Sequence, residues 1–508
     1  MKGVSIPAVD LEEVWLHRRE ETAAWTDSEV LEWGNRFKGL VLTPIDRNQG
    51  DTVVMCPILY RHGFGKTFAW EANYEHIGGL DLERDTVKKI RDDFHTHRLD
   101  TIGKWRVDGR LGAAYVIPKH KDLTRWRPIA PAPADPVALA QKRVAKALHC
   151  LLKRLSENST FYLNSISELS GQLNATTVRL RVAGCERAIG RCYNIKHMFS
   201  RIPHNAVKEA VRQLLRKYED EGVKQVRVSM RGKLCVISNN KKKMDGYVSI
   251  PLKKLMTAVA FDLRHSVVKC GQTLVRQVFG IPMGKSTSPI LASITCAMAE
   301  MRFLRELGCD RRLVGGWRIV DDITVVVGIT EQAMIEGYEE QVFERFESIY
   351  DEHLEIVRKD ECGLTWDFVG GHMFVGCKPL MLHYTPATKN TAALNDEGRL
   401  LFQTMQDYSS YSPKAVKKAV LTATLRRIWG HTTSKQLVLG AIGFAVCEAD
   451  LWGYPPGGLS RCFGEFDQSC ADAGTLFANG SHESIRGVGE GKKEGLKAGP
   501  EQPRHRGT

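Results

Sequence analysis

An adjacent pair of acidic residues, Asp321 and Asp322, constrains the fold of this chain more than any other feature. It lies between two apolar, β-forming runs at residues 317–320 and 323–327. This pattern predicts a tight β-hairpin with the two acids at its tip. Carboxylates fixed at such a tip are suitable ligands for a hard divalent cation. An isolated Asp-Asp pair usually marks only a solvated turn, so the rest of the chain decides between the two interpretations.

The length and the charge of the chain limit its class. Its 508 residues are enough for two or three lobes with separate cores. Its 72 basic residues outnumber its 59 acidic residues, which gives a net charge of +13. This surplus favours a polyanionic partner, because Lys and Arg side chains release condensed counterions from phosphates. A basic surface without function is the alternative that charge leaves open.

The cysteines and the apolar runs indicate the compartment. Thirteen cysteines are scattered without a Cys-x-x-Cys pair or a histidine at zinc-ligand spacing, which favours reduced thiols. Residues 1–15 lack the apolar stretch of a signal peptide, and no apolar run is long enough to cross a bilayer. We therefore expect an intracellular, soluble protein without a membrane partner.

Residues 117–129 have a β-turn-β pattern with a basic turn that includes Lys119, Lys121 and Arg127. Arginine offers phosphate a bidentate fork, and lysine offers it a point charge. A solvated basic loop is the alternative, but Trp126 within the segment favours a binding role.

A second basic segment follows two β-forming runs, at 226–228 and 234–237. It reads Asn-Asn-Lys-Lys-Lys and occupies residues 239–243. The pattern predicts a hairpin that carries a basic tip.

A Gly-rich turn at 280–284 opens onto a helical pattern at 286–306. Gly280 and Gly284 lack a Cβ, so they allow the backbone to approach a bound substrate closely. The turn lies some forty residues before the acidic pair, which suits one composite site for a nucleic-acid substrate.

In chain order, six segments between about residues 110 and 380 resemble the motifs of reverse transcriptases. They are 117–129 (the fingers hairpin), 193–204 (motif A), 280–294 (motif B), 319–322 (motif C), 356–359 (motif D) and 368–370 (the primer grip). Agreement of six segments in one order makes coincidence a poor explanation. Within the family, residues 46–48 (Asp-Arg-Asn) and Met283 resemble Penelope-like or related non-LTR retroelements.

The resemblance implies RNA-directed DNA synthesis with an RNA template, a DNA primer and dNTP, and with Mg²⁺ (or Mn²⁺) as the cofactor. Asp321 and Asp322 would bind the metal, and Lys359 would protonate the leaving pyrophosphate. Phe199 would pack beneath the sugar and reject a 2′-hydroxyl. The other nucleotide-binding residues that the resemblance implies are Lys119, Lys121, Arg127, Met283 and Gly284.

Position 194 departs from motif A, which places a metal-binding Asp there. The amide oxygen of Asn194 can coordinate a cation but brings no negative charge. No acid lies between Glu186 and Glu209 to replace the missing carboxylate. We therefore expect this copy to be catalytically impaired but able to fold and to bind nucleic acid.

Two other functions fit part of the pattern. An inactive RNA- or DNA-binding relic of such an element is favoured by Asn194 together with the charge of +13. An RNA-dependent RNA polymerase shares the acidic pair, but it normally has Gly before the pair and Asn in motif B. This chain has Val320 and Ser288-Pro289 at those places, and Phe199 favours deoxynucleotides.

We expect an α+β fold of the right-hand polymerase type, with fingers, a palm built on an antiparallel sheet, and a helical thumb. The expected divisions are an N-terminal helical extension (1–39), fingers and palm (40–375), a thumb-like domain (376–465) with helices at 413–428 and 433–450, and a disordered tail (466–508). In the palm, Asn194 and Asp321 should face each other on adjacent strands.

Overall fold

The structure is a computed structural model that describes residues 26–46, 48–120, 122–156, 158–330, 337–360, 363–410, 412–455 and 462. The expected extension is therefore described only from residue 26. Arg47, Lys121 and the tail at 466–508 lie outside the described residues. None of the described helices is long and apolar enough to span a membrane.

The described part of the chain contains thirteen α-helices. They are α1 (Asp27–Arg36), α2 (Pro57–Phe68), α3 (Glu83–Thr96), α4 (Ala138–Lys153), α5 (Leu169–Val182), α6 (Met198–Arg201), α7 (His204–Asp220), α8 (Leu252–Arg264), α9 (Ser288–Glu306), α10 (Tyr338–Glu347), α11 (Thr391–Glu397), α12 (Lys414–His431) and α13 (Lys435–Leu451).

Seventeen β-strands in the same ranges form six sheets. They are β1 (Val41–Ile45), β2 (Asn48–Met55), β3 (Tyr74–Gly79), β4 (Tyr115–Lys119), β5 (Asp122–Ile129), β6 (Arg187–Lys196), β7 (Gln225–Ser229), β8 (Cys235–Ser238), β9 (Tyr247–Pro251), β10 (Val267–Cys270), β11 (Thr273–Gln277), β12 (Val314–Ile319), β13 (Asp322–Ile329), β14 (Glu355–Arg358), β15 (Thr365–Asp367), β16 (Gly371–Cys377) and β17 (Leu380–Pro386).

The sheet that positions the acidic pair has the strand order β12-β13-β6-β14, with antiparallel neighbours throughout. Every residue of β13 after Asp322 is buried. Val325 and Val327 lie in the large core with α7 and α9, while Val326 lies in a second core with β16, β17 and α5. Burial on both faces explains why this strand is an almost continuous apolar run. The predicted hairpin is confirmed: β12 and β13 pair with Ile319 opposite Asp322.

The C-terminal part confirms the two predicted helices, which are α12 and α13. They pack around a separate small core that includes Leu421, Leu425 and Val446. The sheet β15-β16-β17 reaches residue 386, so it continues beyond the expected palm boundary at 375.

The segment at residues 225–251 differs from the prediction of a hairpin with a basic tip. Strands β7 and β8 form a hairpin through residues 230–234, and the lysines lie in the following loop. That loop returns to β9, which pairs with the other edge of β7. The prediction was wrong here because a third strand, which lies next to β7 rather than β8, cannot be placed from local alternation alone.

Candidate active site

The acidic turn (residues 320–322) joins β12 to β13. Val320 has φ = +57°, an uncommon conformation for a β-branched residue. The turn places Asp321 outside the strands and Asp322 at the start of β13. Asn194 on β6 is therefore paired with Asp322, not with Asp321 as predicted. The prediction was wrong because the register depends on the length of the turn, which shifts the facing residue by one.

Two nitrogen donors contact the acidic turn from neighbouring strands. Asn194 directs its Nδ2 at Asp322 Oδ1 and at the backbone oxygen of Asp321, each at 3.3 Å. Lys359, directly after β14, places its Nζ 2.6 Å from the same Oδ1. The side chains of Asp322 and Lys359 are 24% and 46% exposed, so this ion pair is open to solvent. One ammonium group thus offsets part of the charge of the two carboxylates.

This donor set does not fit a centre for two divalent cations. Such a centre needs carboxylates from both strands, and β6 supplies an amide whose nitrogen faces Asp322. Within the described ranges, no group of three or more His, Cys, Asp or Glu side chains is arranged to hold a metal. Asp321 and Asp322 are the two carboxylates that remain for a cation at the turn.

A buried pair, Arg318 and Glu300, lies beneath the acidic turn. Both side chains are fully buried, and Arg318 Nε donates to Glu300. Arg318 Nη1 donates to Val320 O (3.2 Å), which fixes the turn, and Nη2 donates to Ser293 O (3.0 Å) on α9. Tyr350 donates its hydroxyl to Glu300 at 2.9 Å. Burial alone would lower the pKa of Arg318, but Glu300 raises it, so the guanidinium stays charged.

The segments that resemble motifs A and B are joined by hydrogen bonds. Ile281 N donates to Phe199 O at 2.6 Å, and a Cβ at Gly280 would lie 2.8 Å from Phe199 O and Ser200 Cα. His204 bonds Gly280 O through Nε2 at 2.7 Å. Burial lowers the pKa of His204, and the hydrogen bond to Gly280 opposes that shift only in part. Phe199 is half-buried against the large core.

Gly284 marks a close approach between the Gly-rich turn and the segment after β5. A Cβ at Gly284 would lie 2.2 Å from Ala130 O, and Met283 O accepts from Ala130 N at 2.7 Å. The need for glycine here therefore arises from packing within the protein. The next residue, Lys285, is buried and donates to Asp262 Oδ1 at 2.8 Å.

The basic hairpin β4–β5 lies against β1 and near motif A. Arg127 donates from Nε to Asp46 Oδ2 at 2.8 Å, so a buried carboxylate orients the guanidinium that we expected to bind phosphate. Asp46 also forms a parallel bridge with Lys119. Desolvation lowers the pKa of His197, and Lys119, Arg201 and Arg125 lower it further. The tip of the hairpin thus contributes positive charge close to the end of β6.

The structure brings Asn194, Asp322 and Lys359 into direct contact and bonds Phe199 to the Gly-rich turn. The sequence did not reveal the supporting role of five residues that hold these segments in place: Asp46, Asp262, Lys285, Glu300 and Arg318. The usable signal was a charged residue within an otherwise apolar element, such as Glu300 in α9 and Arg318 in β12.

Comparison with known proteins gives a likeness in fold. The chain matches no protein-family profile and no curated protein sequence. It is similar to the structure of telomerase from Candida albicans in complex with a TWJ fragment of telomeric RNA, with 14% identity, a TM-score of 0.51 and coverage of 84% of this chain and 63% of that chain. Apo telomerase from Candida tropicalis has 13% identity, a TM-score of 0.49 and coverage of 85% and 68%. An RNA-dependent RNA polymerase of a human picobirnavirus has 10% identity, a TM-score of 0.40 and coverage of 90% and 77%.

The likeness to the Candida albicans protein shows the fold alone. It is a mixed helix-and-sheet fold that resembles the fold of this telomerase. The chain spans less than two thirds of that protein's length.

Proposed function

We propose that this chain is a reverse transcriptase-type polymerase that binds an RNA template and a DNA primer and whose DNA synthesis is impaired at Asn194. The register of the β6–β13 pairing carries the proposal, because it sets Asn194 opposite Asp322 beside the acidic turn. In-line nucleotidyl transfer with two cations needs carboxylates on both of these strands. The chain retains the strands and their alignment but has lost one of the carboxylates.

The proposed right-hand arrangement assigns the sheet β12-β13-β6-β14 to the palm (190–205 and 275–375). The fingers take residues 40–190 with part of 205–275, and the thumb follows from 376. The separate core around α12 and α13 supports the thumb as a unit of its own. Assignment to a Penelope-like or related non-LTR retroelement rests on residues 46–48 and Met283.

Each candidate residue has a proposed role. Lys119 and Lys121 would attract the triphosphate, and the Asp46 carboxylate would hold Arg127 in place for the same group. Phe199 would pack beneath the sugar, and Met283 and Gly284 would border the templating base pair. Lys359 would have to leave Asp322 before its ammonium could serve as a proton donor to pyrophosphate.

The test is primer extension on an RNA template with dNTP and Mg²⁺ or Mn²⁺, using the chain as given and Asn194→Asp. We expect Asn194→Asp to raise synthesis by on the order of a hundredfold or more, since a metal-bound carboxylate contributes several kcal/mol to the transition state. Asn395→Asp is the matched control, because it adds the same charge at an exposed helix position. We expect this control to leave synthesis unchanged.

Vigorous synthesis by the unmodified chain would contradict the impairment. If Asn194→Asp stayed inactive while both proteins bound an RNA–DNA hybrid in a salt-dependent way, the chain would be a binding relic. Parallel reactions with ribonucleotides separate the two polymerase classes. Incorporation of ribonucleotides in preference to deoxynucleotides would replace our proposal with an RNA-dependent RNA polymerase.

A further inference from the structure

The basic loop (residues 239–246) connects β8 to β9 and plays no part in the acidic turn. Its three consecutive lysines, Lys241, Lys242 and Lys243, are all exposed. Residues 225–251 contain six basic residues and a single acid, Asp245. This short segment therefore carries a large share of the net charge of +13.

Side chains of β7 hold the backbone of the basic loop in place. Gln225 Nε2 donates to Asn240 O at 2.9 Å and to Lys242 O at 3.2 Å. Arg227 Nη2 donates to Asn240 Oδ1 at 2.6 Å and to Lys242 O at 2.7 Å. The carbonyl groups thus face the sheet, and the ordered backbone presents the lysines to solvent.

The one acid of this region, Asp245, forms no ion pair with the neighbouring cations in the described part of the chain. The acceptors of Arg227 are amide and carbonyl oxygens, which leave its charge uncompensated. Across the described ranges, neither Arg227 nor the three lysines form an ion pair with a carboxylate. Elsewhere exposed cations do have such partners, for example Arg276 with Glu75.

The turn at 230–234 extends the same positive surface. Met230 N donates to Gly246 O at 2.9 Å, so this turn adjoins the end of the basic loop. The turn carries exposed Arg231 and Lys233, and Lys146 Nζ donates to Gly232 O at 3.0 Å. Val226 on β7 is fully buried in the large core, which anchors the strand beneath this surface.

We propose that the basic loop, with Arg231, Lys233 and the underlying Arg227, docks the sugar-phosphate backbone of a nucleic acid outside the acidic turn. Uncompensated cations gain most from a polyanion, since each phosphate contact releases a condensed counterion. A pre-ordered loop loses little conformational entropy when it binds. The inference rests on the proposed function only for the identity of the nucleic acid, the template–primer.

The test compares the triple variant Lys241→Ala, Lys242→Ala, Lys243→Ala with a matched control that removes the same charge from α3. The control is Lys88→Ala, Lys89→Ala, Arg91→Ala, because these exposed cations share their helix with four acids. Fluorescence anisotropy measures the affinity for an RNA–DNA hybrid, duplex RNA and duplex DNA over a range of KCl concentrations.

We expect the loop variant to bind about tenfold or more weakly at about 0.1 M salt. Its slope of log affinity against log salt should shrink by about 2 to 3. The α3 control should retain its affinity and its slope, and replacing the three lysines with arginine should preserve binding. Loss that affects RNA and DNA equally would indicate backbone contacts.

Equal affinities of the loop variant and the α3 control would overturn the proposal. So would a loop variant that loses binding to poly-glutamate but binds all three nucleic acids normally, because the partner would then be an acidic protein. These outcomes are independent of catalysis. If Asn194→Asp failed to synthesise DNA, the proposed function would fail. The anisotropy comparison would still decide whether the basic loop binds nucleic acid.

Discussion

The acidic turn has two sides that differ in how completely their polar groups are matched. On the inner side, Arg318 uses Nε, Nη1 and Nη2 for hydrogen bonds, and Glu300 accepts from Arg318, Phe161 and Tyr350. On the outer side, an amide and an ammonium contact Asp322, where a polymerase site needs carboxylate and cation. The inner contacts satisfy buried charges whatever the chemistry, whereas the proposed polymerase chemistry makes its demand on the outer side, at position 194. Under the proposed function, a substitution on the outer side therefore impairs catalysis and leaves the inner contacts in place.

The largest expected effect comes from breaking the inner side. Glu300→Gln leaves Arg318 charged and buried without an opposite charge, so we expect the free energy of unfolding to fall by about 3–5 kcal/mol. Glu32→Gln removes one partner of an exposed pair with Arg36. This substitution should change the free energy of unfolding by less than about 1 kcal/mol. Urea denaturation of both variants measures the difference.

Removing both buried charges checks the cause. Arg318→Met combined with Glu300→Leu should recover part of the stability that Glu300→Gln loses, because no uncompensated charge remains. If Glu300→Gln were as mild as Glu32→Gln, the contrast between the two sides of the turn would be lost.

The next effect tests whether the Gly-rich turn belongs to the inner framework. Gly284 has φ = +137°, and a Cβ added there would clash with Ala130. Gly271 has φ = +59°, and a Cβ added there would meet no atom within 4 Å. Gly284→Ala must move the backbone of Ala130, so we expect a loss of about 2–3 kcal/mol in unfolding free energy. Gly271→Ala should lose only about 1 kcal/mol, from backbone strain. Thermal and urea unfolding compare the two, and equal losses would exclude packing on Ala130 as the cause.

The hairpin was predictable because its signal is local: apolar runs of strand length on both sides of two acids. The helices α12 and α13 were predictable from their apolar periodicity for the same reason. The buried pair was not, because Arg318 and Glu300 lie in different elements and meet only through tertiary packing. Arg127 and Asp46 are 81 residues apart, so their contact also left no local trace.

A smaller effect concerns the outer ion pair. Lys359 competes with any cation for Asp322, so we expect Lys359→Gln to raise the affinity for Mn²⁺ by about tenfold without nucleic acid. Lys196→Gln is the control, since it breaks a comparable exposed pair with Glu355 on the same sheet. Electron paramagnetic resonance of free Mn²⁺ measures both. An unchanged affinity in Lys359→Gln would show that the ammonium does not compete for this carboxylate.

The smallest effect concerns position 194 and the stability of the metal-free protein. Asn194 donates to Asp322, but an Asp at 194 would place a second carboxylate about 3 Å from it. In the presence of a chelator, we expect the free energy of unfolding of Asn194→Asp to be about 1 kcal/mol lower than that of the chain as given, because the two carboxylates repel each other. Mg²⁺ should restore that stability in Asn194→Asp alone, because a ligand that binds only the folded state stabilises it. Thermal unfolding with and without Mg²⁺ measures both changes, with Asn174→Asp, at an exposed position on α5, as the charge control. If Asn194→Asp were as stable in chelator as the chain as given and were unaffected by Mg²⁺, the outer side of the acidic turn would not be a cation-binding site that only lacks a carboxylate at position 194.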